Sequence, residues 1–186
     1  DNIQWPTQKM NQFIGDNHQI TSAYYSKEDD KLWIGTDNKG LFLFNTKPEL
    51  SLLSTFNNNN SKLQSNTINK IITDPKGRLW IASSEGILVG NENKWKLMEK
   101  YMSIKDMEVR FDEVWVLSEG EIFIVDEKDD WFTYEIDADM KEGPIIDISF
   151  DQDGILWMAS DVVTRYNMQM DVFQIFGPAE YFTSQY

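Results

Sequence analysis

Apolar and polar positions alternate along this chain in short bursts, and the bursts come in sets of four. The clearest set spans residues 66–98. A β-branched stretch, Asn69-Lys70-Ile71-Ile72-Thr73, meets a turn at Asp74-Pro75-Lys76-Gly77. There Pro presets φ and Gly accepts the positive φ that closes the turn. Residues 78–83 read as the next strand and Ser84-Glu85-Gly86 as a second turn. Ile87-Leu88-Val89 is a third strand, and residues 91–94 turn into a fourth at 95–98. Four strands joined by hairpins in about 40 residues are the content of one propeller blade.

Three further sets follow the same scheme. The first has an inner strand at 20–25, a turn at 27–30, and strands at 32–36, 41–45 and 52–56. The third has strands at 104–109, 114–118, 121–125 and 131–134, with Asp112-Glu113 in its first turn. The fourth has strands at 145–150, 155–160, 163–166 and 172–176, with Asp151-Gln152-Asp153-Gly154 turning between the first two. The fold expected is all-β, a β-propeller of four-stranded antiparallel blades. Its four blades occupy 20–60, 61–103, 104–143 and 144–186. Residues 1–19, with Trp5 and Phe13, form a leading segment suited to an outer strand of a neighbouring blade. Asn57-Asn58-Asn59-Asn60 reads as a polar surface loop between the first two blades.

Each set carries one four-residue signature: Trp33-Ile34-Gly35-Thr36, Trp80-Ile81-Ala82-Ser83, Trp115-Val116-Leu117-Ser118 and Trp157-Met158-Ala159-Ser160. The interval of roughly 40 residues marks a repeat architecture. A blade is covered on both faces by its neighbours, so its central strands read as continuous apolar runs. Trp33, Trp80, Trp115 and Trp157 suit the wedge between blades. The small residue two places later suits a close approach of neighbouring sheets, and the hydroxyl after it can cap the turn. Leu117 departs from the small-residue rule.

Composition narrows the function. The chain of 186 residues carries 31 acidic against 17 basic residues, a net charge of −14. That opposes binding to a phosphate backbone, which needs clustered Lys and Arg, and adsorption to an anionic membrane surface. Without cysteine, disulfides, thiolate catalysis and Cys-based zinc sites are excluded. No apolar run reaches the roughly 18–20 residues of a membrane span. The chain begins at Asp1 with no initiator Met or leader, as expected of a processed chain or a piece of a longer one.

The signatures resemble the two-component regulator propeller repeat of extracytoplasmic sensors in bacterial hybrid two-component systems. Asn66-x-Ile68, Asp74-x-x-Gly77, residues 79–83 and Gly86-Ile87 follow the family pattern, as do residues 32–36 with Gly40-Leu41, and Asp151-x-x-Gly154 with residues 156–160. The third copy departs, because Phe111-Asp112-Glu113 has no Gly. The resemblance implies a periplasmic sensing module that takes a small ligand, often an oligosaccharide, and whose occupancy is relayed through a membrane helix to a histidine kinase. It also implies a ring of seven blades of which this chain is a portion, with further blades or a second protomer as neighbours. It implies no cofactor and no catalysis by this segment.

Candidate chemistry is sparse. The chain lacks Gly-x-Ser-x-Gly, His-Glu-x-x-His and a phosphate-binding Gly loop. With His18 its sole histidine, a Ser-His-Asp triad or a His cluster has at most one member. Asp151-x-Asp153-Gly154 echoes the opening of a calcium loop but lacks the later ligands. Asp29-Asp30 and Asp129-Asp130 are paired carboxylates, as a glycosidase needs, yet both fall in hairpin turns. The turns after each Trp-bearing strand should gather on one face and bring Asp37, Asn38, Glu85, Glu119 and Asp161 around the axis, with Tyr101 from an inter-blade connection. Such polar groups suit a hydroxyl-rich ligand or, more plainly, a solvated rim. Trp95 and Trp131 lie on outer strands, where edge packing competes with stacking on a sugar. Two other classes stay open: a propeller lyase or hydrolase, and an interaction scaffold without a small ligand.

Overall fold

The computed structural model describes residues 11–92, 94–100 and 103–177. Sixteen strands form four antiparallel sheets of four, each in simple sequential order. The first sheet is β1 (Ile20–Ser26), β2 (Lys31–Thr36), β3 (Leu41–Asn45) and β4 (Ser51–Phe56). The second is β5 (Ile68–Thr73), β6 (Leu79–Ser83), β7 (Gly86–Asn91) and β8 (Lys94–Lys100). The third is β9 (Ile104–Arg110), β10 (Glu113–Ser118), β11 (Glu121–Val125) and β12 (Trp131–Tyr134). The fourth is β13 (Asp147–Phe150), β14 (Leu156–Ala159), β15 (Val163–Asn167) and β16 (Val172–Phe176). The propeller expectation therefore holds for all four blades.

Successive inner strands pack on one another, β1 on β5, β5 on β9 and β9 on β13. Three apolar cores fill the wedges between blades, with Trp33, Trp80 and Trp115 each in one of them. Trp80 and Trp115 are 1% exposed and Trp33 is 2% exposed. Trp157 has the same place in its sheet, opposite Ser149 and Arg165, but it stacks on Phe176 at 6.0 Å on a face that no described blade covers. The opposite outer face, on the first blade, is covered. Of the leading segment, Asn11–Ile14 forms the short helix α1, and Phe13 and Ile14 pack on Ile34, Phe42 and Phe44.

The signature positions do what their chemistry dictates. A Cβ on Gly35 would stand 2.6 Å from Cγ2 of Ile68, so the first two blades meet there at backbone distance. Thr36 Oγ1 donates to Gly40 O and accepts from Lys39 N, both at 2.9 Å. Ser83 Oγ donates to Gly86 O at 2.9 Å and Ser160 Oγ to Val162 O at 3.2 Å. In the third blade Ser118 instead bonds Ser103 O at 3.2 Å. Leu117 fits because the connection into the fourth blade is long. A 3-10 turn (Ala138–Met140) brings Met140 against it, together with Ile145 and Ile148.

Candidate functional site

A polar layer crosses the inner strands. In each sheet one inner-strand residue stands opposite the signature Trp: Tyr24, Ile72, Glu108 and Ser149. Two residues earlier, on the same face, stand Ser22, Lys70, Asp106 and Asp147. The first three face the following blade, and Asp147 meets Asp106 of the preceding one. Ser22 Oγ accepts from Ile71 N at 3.0 Å. Lys70 Nζ meets Asp106 at 2.7 Å and Glu108 at 3.2 Å. The second carboxylate oxygen of Asp106 accepts from Ile148 N at 3.3 Å. Asp106 is buried, and its charge is matched by an ammonium and an amide, as a buried carboxylate requires. Burial, and then the hydrogen-bonded Asp106 carboxyl and its charge, push Asp147 up to about 6. The layer thus joins all four blades, and Asp147 is the member whose carboxyl is raised by its neighbours. Sequence reasoning missed it, although four charged residues in strands otherwise apolar toward their neighbours were the available signal.

The residues expected at the rim lie on four equivalent turns: Asp37 and Asn38 after β2, Glu85 after β6, Glu119 after β10 and Asp161 after β14. Asp37, Asn38 and Asp161 are tied to neighbouring connections between blades. Asp37 Oδ1 accepts from Gln19 N at 2.8 Å, and Asn38 Nδ2 donates to Asn17 O at 2.9 Å. Thr67 Oγ1 donates to Asp37 O at 2.8 Å. Asp161 N donates to Glu142 O at 2.9 Å. Glu119 stands at φ +52, where it shapes its turn. Among the described residues no hydrogen bond joins any two of these side chains to each other. Tyr101 lies outside the described residues.

The other candidates resolve into turn chemistry. Asp151 Oδ1 accepts from Asp153 N and Ile155 N, both at 3.0 Å, and Oδ2 from the Trp157 indole at 3.2 Å. Asp30 and Asp129 occupy positive φ, and they bind Lys47 and Arg78 respectively. Trp95 and Trp131 pack against the wedge cores. Among the described residues no group of three or more His, Cys, Asp or Glu side chains is placed to hold a metal ion, and no helix is long and apolar enough to cross a membrane.

At the end of the molecule opposite the signature turns, two slots open between blades. The slot between blades two and three has about 100 Å³ and is lined by charged residues. Arg78 bridges Asp74 at 2.6 Å and Asp129 at 3.0 Å, while Lys76 reaches the Glu127 carbonyl. The slot between blades one and two encloses about 450 Å³.

Four sheets of this topology, stacked by their inner strands, define a β-propeller array. Residues 62–85, in its second blade, match the two component regulator propeller family. No curated protein matches the chain in sequence. Among solved structures, the extracellular domain of the hybrid two component system BT4673 from B. thetaiotaomicron is similar at a TM-score of 0.72 and 18% identity, over 87% of this chain and 22% of that one. Virginiamycin B lyase from Staphylococcus aureus, crystallised with quinupristin, is similar at a TM-score of 0.65 and 12% identity, over 88% of this chain and 57% of that one. A structure of YCF48 bound to D1 peptide is similar at a TM-score of 0.60 and 13% identity, over 87% and 53%. At these identities the likeness carries the fold alone. The chain spans less than a quarter of the length of the BT4673 domain.

Proposed function

We propose that this chain is a ligand-sensing portion of an extracytoplasmic propeller in a two-component signal transduction system, with oligosaccharides as the ligand class and no catalysis by this segment. The observation that carries the reading is the two component regulator propeller repeat at residues 62–85, set among four blades of equivalent register. The likeness to an extracellular domain of a hybrid two component system supports the same location. Binding would be relayed through a membrane helix to a histidine kinase. Such a relay requires a ligand that binds one arrangement of the propeller more tightly than the other. The test has two arms. Titration calorimetry of the chain against neutral and acidic oligosaccharides should give heat with at least one. A transcriptional reporter driven by the full-length protein should lose its response to that sugar when residues 20–176 are removed. A reporter indifferent to the deletion overturns the sensing role, and silence across the sugars overturns the ligand class.

The four blades are, in the same proposal, part of a larger ring. Its support is the uncovered Trp157 face, which matches in register the faces on which Trp33, Trp80 and Trp115 meet the next blade. Val163, Val172 and Phe176 stand on this side and are more than a third exposed.

A further inference from the structure

The signature tryptophans differ in one respect. Three of the four indole N–H groups donate to a carboxylate of their own blade. Trp80 bonds Asp74 at 2.9 Å, Trp157 bonds Asp151 at 3.2 Å and Trp115 bonds Glu113 at 3.1 Å. In blades two and four the acceptor stands six residues before the Trp. In the first blade that position is Lys27, which cannot accept. Among the described residues no protein group accepts from the Trp33 indole N–H, and that atom is not sealed from solvent although the side chain as a whole is 2% exposed. Trp33 lines the slot of about 450 Å³ between blades one and two. So does Thr73, whose Oγ1 is buried and without a partner. The slot is therefore lined by two residues with a neutral polar group that no protein group pairs, an indole donor and a buried hydroxyl. Buried polar groups such as the Thr73 hydroxyl are very rarely left unpaired.

We propose that this slot binds a small uncharged hydroxylated molecule, a single sugar ring or a linear polyol, whose hydroxyl accepts from the Trp33 indole and bonds the Thr73 hydroxyl. The proposal rests on the ligand-sensing reading and places a site for it away from the signature turns. A hydroxyl both accepts and donates, so one such group satisfies both wall groups. The ligand is uncharged because the interior donors are neutral. The nearby charges are largely spent on one another: Lys31 binds Asp29 at 3.3 Å and also Glu92. Lys27 and Glu28, of opposite sign, stand at the rim. Tyr24 and Tyr25 line the slot and supply apolar surface beside its polar groups. The Tyr25 hydroxyl donates to Asp30 at 2.6 Å, which fixes that ring at the mouth. The volume falls within the roughly 300–1,000 Å³ of small-molecule sites. The corresponding slot of the next interface keeps its carboxylate and its ion pairs and has a quarter of the room.

The chain has seven tryptophans, so ¹⁵N-indole labelling yields a small set of resolved signals, with Trp33→Phe assigning the one of interest. Methyl α-D-glucoside, D-galactose, myo-inositol and sorbitol are the probes, and the ring compounds and sorbitol separate the two ligand forms. At least one should shift the Trp33 signal saturably. Lys27→Asp restores the acceptor that the second and fourth blades use. It should leave the thermal midpoint unchanged or higher and weaken that probe about tenfold or more. Thr73→Val should weaken it by a similar factor. The proposal fails if no probe moves the Trp33 signal, or if Lys27→Asp binds as the parent does. Binding that spares Trp33 but is lost on Asp161→Ala would sink this site and leave the sensing reading intact.

Discussion

Single carboxylates hold much of this molecule, and their surroundings decide what each is worth. Asp74 is 6% exposed. Its Oδ1 accepts from Lys76 N at 3.0 Å and Arg78 N at 2.9 Å, and its Oδ2 accepts from Arg78 Nε and the Trp80 indole. Asp74→Ala strands a buried indole N–H and loosens the turn, so urea unfolding should show a loss of about 2–4 kcal/mol. Asp151 binds two amides and an indole in the same way but no guanidinium, and its indole stands on a face that no described blade covers. Asp151→Ala should lower the midpoint by clearly less; equal losses would refute the role given to burial. Asp147 sets a pH dependence of the opposite kind from a salt-bridged acid. Its folded-state value, about 6, lies above the ordinary 3.8. Between those values the folded chain keeps a proton that the unfolded chain releases, so stability falls as pH rises from about 4 to about 6 and then levels. Asp106, Glu108 and Lys70 are the charged groups around it, and Lys70 opposes the shift. Against a burial penalty that acts the other way, Arg78 and Lys96 hold Asp129 below 3.8, so that group's contribution is lost as pH falls through its lowered value. Thermal midpoints of the parent and Asp147→Asn should therefore converge near pH 4 and separate in favour of Asn by pH 7. A constant gap across that range would remove Asp147 from this role.

The strands were legible because each obeys a local rule that the blade also needs. Central strands buried on both faces must be apolar in their middles, and β2, β6 and β10 are, at 32–34, 79–82 and 114–117, so pattern and structure agree to within a residue there. Agreement weakens where a residue answers to the connection instead of the ladder. Ile145 and Ile146 read as strand, yet β13 begins at Asp147, because Ile145 turns into the third wedge at 2% exposure while Ile146 points outward at 63%. The candidate site was much less legible. The turn residues were placed on the right turns, but whether such groups converge depends on what the incoming connection binds. The Ser22, Lys70, Asp106 and Asp147 layer arises from stacking of separate sheets, which leaves no period within any one strand. The Trp33 slot was readable in principle by setting Lys27 beside Asp74 and Asp151. The small position of the signature gives a test of the blade contact itself. Gly35→Ala places a methyl 2.6 Å from Ile68 Cγ2 and 2.9 Å from Ile68 Cβ, a β-branched side chain stiff at χ1. The first and second blades must then part, at a cost of about 1–3 kcal/mol. Ile68→Ala, which removes Cγ2, should then cost less on the Gly35→Ala background than in the parent chain. Additive losses would show that the two sites do not touch.

At the scale of the whole molecule, stability is a sum of blades and of the contacts between successive ones, because each sheet touches only its neighbours. That makes the end of the array different from its middle in a measurable way. Trp80 is 1% exposed within the wedge between blades two and three, and Trp80→Ala removes a large side chain from a packed core, at about 3–5 kcal/mol. Trp157 is chemically the same residue at the same register, with Phe176 stacked at 6.0 Å and the Arg165 guanidinium 6.0 Å from its ring centre. Among the described residues no further blade packs on it, so Trp157→Ala should cost much less. If a further blade of the repeat covers this face, a longer chain that includes it should bring the Trp157→Ala loss up toward that of Trp80→Ala. Val163→Asp, on the same face, should change from nearly neutral to strongly destabilising. The comparison separates a ring segment from a free-standing array, because added chain that does not pack here leaves both costs where they were. A Trp157 cost already as large as that of Trp80 in the 186-residue chain would mean that the face is covered in solution by a second copy. Light scattering would then give twice the 21.8 kDa chain mass.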